Sequence, residues 1–102
     1  MREIKFQARD AITGKWDTFT LAMLHHGVAR EFMYVDWREY TGRKDKNGKE
    51  IYEGDILSAK NGWQVVVDMT EFATMQYISG VCDKIKVIGN IYENSELLEA
   101  NR

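Results

Sequence analysis

The chain has 102 residues, 44% of them hydrophobic and 29% charged, with a formal net charge of −2, no proline and one cysteine. That is the length of one domain, and its composition is too apolar and too weakly charged for a disordered chain. One cysteine excludes a disulfide-stapled scaffold, and no stretch reaches the ~20 apolar residues of a membrane span.

The opening Met1–Lys5 does not read as a signal peptide, so one cytoplasmic domain over 1–102 with no membrane association is expected. Residues 1–50 carry ten Lys/Arg against eight Asp/Glu, and residues 51–102 carry four against eight. A pI near 5.7 argues against a general nucleic-acid binder, whose pI usually exceeds about 9. A local basic patch remains compatible with that balance.

Residues Glu3 to Arg9 alternate polar and apolar side chains, placing Ile4, Phe6 and Ala8 on one face of a strand. Thr13-Gly14 then predicts a turn, with the return strand beginning at Lys15-Trp16. Asp17 to His26 fits a helix face or a strand, and Thr18, Phe19 and Thr20 tilt the reading to strand, closed by Gly27. Phe32 to Tyr40 is dense in strand-favouring residues. The stretch 41–50 reads as a polar loop, in which Asn47-Gly48 predicts a type I′ turn.

Beyond Gly54, a β-meander is predicted. Ile56 to Lys60 leads to Asn61-Gly62, a hairpin signal, and Trp63 to Asp68 returns. The three valines 65–67 suggest a strand central to the sheet or buried on both faces. Ala73 to Ser79 is read as a further strand, punctuated by Gly80, and Lys84 to Ile91 as the next. Asn94 to Glu99 is read as a short final helix capped by Asn94. The expected fold is mainly β (α+β): a strongly bent antiparallel sheet or small barrel with a short C-terminal helix.

Few groups suggest chemistry. His25-His26 are adjacent and would point apart on a strand, which is poor metal-ligand spacing. Lys84 and Lys86 lie close to Cys82 in sequence, but its place after Gly80-Val81 suits a core or strand-edge role better than that of a nucleophile. Glu53 and Asp55 around Gly54, like Asp68 and Glu71, read as turn caps. No catalytic, metal or cofactor residues are assigned, and no enzymatic activity is expected.

The strongest surface candidate is the basic loop, with Arg43, Lys44, Lys46 and Lys49 beside Tyr40, Tyr52 and, less directly, Trp37. Cations next to rings are what a single-strand nucleic-acid surface uses, whereas a solvated hairpin tip needs the lysines alone. No phosphate-binding glycine motif is present, because Lys49 is followed by Glu50 rather than Ser or Thr.

Three blocks of sequence resemble the YopX family: Met1 to Phe6, the long central run Tyr40 to Ile56, and Val87 to Asn94 with Glu96-Leu97-Leu98. The resemblance implies a compact, mostly β domain of phage or prophage origin, and it carries over no catalytic residue. Gln7-Ala8-Arg9-Asp10 departs from the family's usual Arg-Ala-Trp-Asp, and Ser95 stands where proline is common. Segments 17–36 and 63–86 match only in length and character.

The chain also carries three Trp, five Tyr and four Phe, more than about 100 residues bury comfortably. These features lead to the expectation of a non-enzymatic accessory protein that binds an unknown phage or host protein, or itself as a homo-oligomer. The alternative is a nucleic-acid-binding module built on loop 43–49 and its aromatic neighbours.

Overall fold

A computed structural model describes residues 3–25, 33–60, 62–94 and 96, the side chains of His25, Phe72 and Ala73 excepted. Among the described residues seven strands form two antiparallel sheets. The first contains β1 (Lys5–Asp10), β2 (Trp16–Thr20), β3 (Tyr34–Lys44) and β4 (Glu50–Tyr52), in the order β2-β1-β3-β4. The second contains β5 (Asp55–Ala59), β6 (Gln64–Val66) and β7 (Ile85–Asn90), in the order β6-β5-β7. The mainly β expectation holds, but among the described residues the strands divide between two sheets and do not close into a barrel.

The first sheet follows the alternation read from its residues. Phe6 pairs with Phe19 and Ala8 with Asp17, and Ala8 and Phe19 are buried. Phe19 packs against the rings of Tyr34 and Trp37 at 5.0 and 5.4 Å. A β-bulge interrupts β3, where Asp36 takes a φ of 57° that L side chains rarely adopt. An ion pair between Arg9 and Asp36 holds that kink against its local backbone cost.

The apolar core gathers the second sheet, the helix between its strands β6 and β7, and β4 of the first. Ile51, Leu57, Val67, Ile78 and Ile85 form one buried cluster. Ile78 comes from α2 (Phe72–Val81), which continues into a short 3₁₀ turn at Cys82–Lys84. The expected strand over Ala73–Ser79 is therefore helix. Met75, Ile78 and Val81 recur every three residues, the spacing of a helix face, and all pack on the core cluster. The β-favouring Tyr77 and Ile78 conceal that period in the bare sequence.

Other boundaries shift for similar reasons. The strand read through His26 ends at Thr20, and α1 (Leu21–His25) follows, its start bridged by Thr20 Oγ1 accepting the Met23 N–H. Val65 and Val66 lie in an edge strand, β6, with β5 at the centre of that sheet, while Val67 follows the strand and is buried in the core. Strand β3 runs on through Lys44 into the expected loop, so the turn is confined to Asp45–Lys49. Asn47 has no positive φ, and Gly48 alone does, at 81°. The turn is the three-residue kind with glycine in the left-handed position, not type I′. Phe32, Gly27 and the expected C-terminal helix beyond Asn94 lie largely outside the described residues.

Gly54 joins the sheets. Its N–H donates to Val67 O, its carbonyl accepts from Ile91 N–H, and its φ is 86°. A Cβ there would stand 2.9 Å from Tyr92 Cε2, whereas one on Gly48 would meet nothing within 4 Å. Both Gly48→Ala and Gly54→Ala should therefore cost about 1–2 kcal/mol of backbone strain. Gly54→Ala should cost measurably more in chemical denaturation, and equal losses would show that Tyr92 yields freely.

Candidate functional site

The face of β1 opposite Phe6 and Ala8 consists of Lys5, Gln7 and Arg9. All three are half-buried, because this polar face forms part of the seam between the sheets. Lys5 pairs with Glu50, Gln7 bonds to Arg38, and Arg9 pairs with Asp36. At the middle of this seam, the guanidinium of Arg38 lies 4.4 Å from the Trp16 ring and 5.3 Å from the Tyr52 ring. Its Nη1 donates to Asp55 Oδ1 and its Nη2 donates to Gln7 Oε1 at 2.7 Å. Asp55 also accepts the Tyr52 N–H through Oδ2, so its turn-cap role is real and the ion pair is added to it.

Arg38 is 8% and Asp55 2% exposed, so this pair is enclosed. Burial pushes the Asp55 carboxyl above its ordinary value, against the opposing pull of Arg38 and the Tyr52 N–H. Burial likewise pushes the Tyr52 phenol up to about 12. The hydrogen bond to Glu50 raises Lys5 above the usual lysine range.

A second seam lies at the hairpin tip. Asp45, 6% exposed, accepts the N–H groups of Asn47 and Lys49 on Oδ1 and that of Val87 on Oδ2. The Lys46 N–H adds a bond to Ile85 O at 3.0 Å. Burial alone would raise the Asp45 carboxyl, but the three N–H donors outweigh it and hold it below its ordinary value. The predicted basic loop is thus anchored on β7. Arg43, Lys44, Lys46 and Lys49 are exposed as expected, while Tyr40 and Tyr52 are buried and stack on each other at 5.4 Å. The two rings serve the core and present no face for a base, which corrects their assignment to an exposed surface.

Between the seams lies a cleft of about 460 Å³. Gln7, Trp16, Arg38 and Tyr52 line it from the first sheet, and β7 with the turn Asn90–Asn94 from the other side. Trp16 Nε1–H donates to Glu93, and Trp16 packs 6.0 Å from Tyr92. Gly89 permits the turn to fold back, since a Cβ there would stand 2.6 Å from Asn94 Oδ1. Asn94, expected as a helix cap, uses that oxygen to accept the Asn90 N–H.

Among the described residues no group of three or more His, Cys, Asp and Glu is placed to hold a metal. His26 and the His25 side chain fall outside them. Cys82 is half-buried and packs against the apolar core. Asp68 caps its turn through Thr70 N–H and Oγ1–H. Among the described residues no helix is long and apolar enough to cross a membrane.

Two blocks singled out by resemblance, Tyr40–Ile56 and Val87–Asn94, supply part of both seams and of the cleft. The family model described as YopX protein matches residues 3–99. This chain belongs to the YopX family. Among curated proteins none matches it. The YopX match runs through segments 17–36 and 63–86 as well, where the motifs are least distinct. Of the cleft's residues, sequence reading had singled out Lys49, Tyr52, Asp55 and Asn94. Arg38, Gln7, Trp16 and Glu93 gave no local signal, because their roles arise from contacts across 17 to 77 residues of sequence.

Two outcomes follow for the seam. Asp55→Ala leaves the Arg38 charge enclosed without its carboxylate and should cost about 3–5 kcal/mol in urea unfolding. Arg38→Met together with Asp55→Ala should recover part of that loss, and a fully additive double variant would contradict the coupling. With rising pH, the folded chain holds the Tyr52 and Lys5 protons longer than the unfolded chain. Their contribution is therefore complete below pH 10 and is lost as pH climbs toward 12 and beyond. Tyr52→Phe should flatten the fall in urea midpoint between pH 10 and 12, and an unchanged slope would remove Tyr52 as a cause.

Proposed function

We propose that this YopX-family chain is a phage or prophage accessory protein of the bacterial cytoplasm. It works by binding a phage or host protein, or a second copy of itself, rather than by catalysis. The observation that carries this reading is the apolar end of the first sheet. Ile4 and Leu21 flank the last β1–β2 pair, Lys5 and Thr20, and are 46% and 55% exposed. Beside them β2 is an outer strand of its sheet, with Asp17, Thr18 and Thr20 exposed. Backbone groups along an outer strand can bond a further strand, and neighbouring apolar side chains add burial to such a contact.

The nucleic-acid alternative rests on the four cations of loop 43–49 alone, without stacking rings. Cations alone support weak, salt-sensitive contact with phosphates and little more.

The test is sedimentation velocity over a micromolar concentration series, comparing the native chain with Leu21→Glu. Association that grows with concentration and disappears in the variant supports self-pairing. For a separate partner, a protein retained by the native chain from phage-infected cells should be lost with the same substitution. A monomer at every concentration, with recovery unaffected by Leu21→Glu, would overturn the reading.

A further inference from the structure

The cleft between the sheets has hydrogen-bond donors that the fold does not use. Gln7 Oε1 accepts from Arg38, Asn90 Oδ1 accepts the N–H groups of Tyr92 and Glu93, and Asn94 Oδ1 accepts the Asn90 N–H. Because each partner is a donor, each carboxamide must present its oxygen inward, and its NH₂ group is left over. Among the described residues none of these three nitrogens has a hydrogen-bond partner. Yet the one fully enclosed side-chain nitrogen or oxygen lacking a partner, among the described residues, is Arg38 Nε. The three NH₂ groups are therefore not fully enclosed, although Asn90 is only 8% exposed, and all three residues line the cleft.

The charged groups of the wall point the same way. Arg38 is matched by Asp55 and Glu50 by Lys5, and both oxygens of Asp55 and of Glu50 are engaged. Lys49 is exposed and lines the cleft; among the described residues it makes no ion pair, although its charge also acts on the Asp45 and Asp55 carboxylates. Glu93, held by Trp16, is the opposing charge. A wall offering three NH₂ groups and an ammonium selects a ligand rich in acceptors, and charged acceptors bond most strongly.

We propose that this cleft binds a small organic anion, its phosphate or carboxylate oxygens held by the NH₂ groups of Gln7, Asn90 and Asn94 and by Lys49. A volume of about 460 Å³ suits a small metabolite rather than a polymer. Such a site is separate from the apolar end around Leu21, and neither depends on the other.

Two near-isosteric variants isolate the donors. Gln7→Glu keeps an acceptor for Arg38, and Asn94→Asp keeps one for the Asn90 N–H, while each removes an NH₂ and adds negative charge. The experiment is an NMR titration of the full chain with inorganic phosphate and, separately, malonate, against sodium chloride at matched ionic strength. The side-chain NH₂ signals of Gln7, Asn90 and Asn94 should move together and saturate with at least one anion, and not with chloride. Each variant should keep the native melting temperature and bind about tenfold more weakly or worse. Glu93→Gln, which keeps an acceptor for Trp16, should bind more tightly. Stronger response to phosphate assigns the site to phosphate esters, and stronger response to malonate to dicarboxylates. Shifts confined to loop 43–49, shifts matched by chloride, or affinities untouched by Gln7→Glu and Asn94→Asp would overturn the proposal.

Discussion

Two sheets that share no strand are held in register by the bonds that cross between them, and the enclosed Arg38–Asp55 pair occupies the centre of that contact. Removing both charges from water costs several kcal/mol per ion unless the geometry answers each one. Arg38 is answered by Asp55, by Gln7 and by the faces of Trp16 and Tyr52. Asp55 is answered by Arg38 and by the Tyr52 N–H. Five strands thus converge on one guanidinium, and the arrangement tolerates little change in their relative positions. Ion pairing here acts as a specification of geometry, whatever its net energetic return.

Asp45 applies the same principle at the hairpin tip. A buried carboxylate that accepts three backbone N–H groups fixes the turn internally and ties it to β7 in the other sheet. Its neighbours Lys44 and Lys46 remain in solvent, so a loop with solvated lysines also serves as an anchor. The cleft opens between these two fixed points. Its carboxylates and carboxamide oxygens are largely consumed in holding the fold, which leaves a surplus of donors. The proposed anion site rests on that surplus.

The apolar end at Ile4 and Leu21 and the polar cleft, as proposed above, would serve different kinds of recognition. The first offers an outer strand and aliphatic surface, suited to another polypeptide. The second offers fixed donors in a small volume, suited to a compact anion. Few of the aromatic residues that suggested an exposed surface provide one. Among described side chains Trp63 is the exposed ring, and Tyr40, Tyr52, Phe19 and most others are drawn into ring–ring contacts.

By itself the sequence determined the mainly β class, the family and the places where the chain must bend. Those are local properties: alternation in Glu3–Arg9, polar turns around glycine, and a long central block. Lacking proline, the chain turns on glycines such as Gly48 and Gly54. Only the tertiary structure decided that Ala73–Ser79 is helix, because Ile78 is drawn onto the core at helical spacing against its own β preference. It also decided that the strands split into two sheets, that β6 lies at an edge, and that Tyr40 and Tyr52 face inward. Above all, it brought Gln7, Trp16, Arg38, Asp55 and Asn94 to one cleft. The sequence could not show this, since burial of a charge depends on partners that only folding brings within reach.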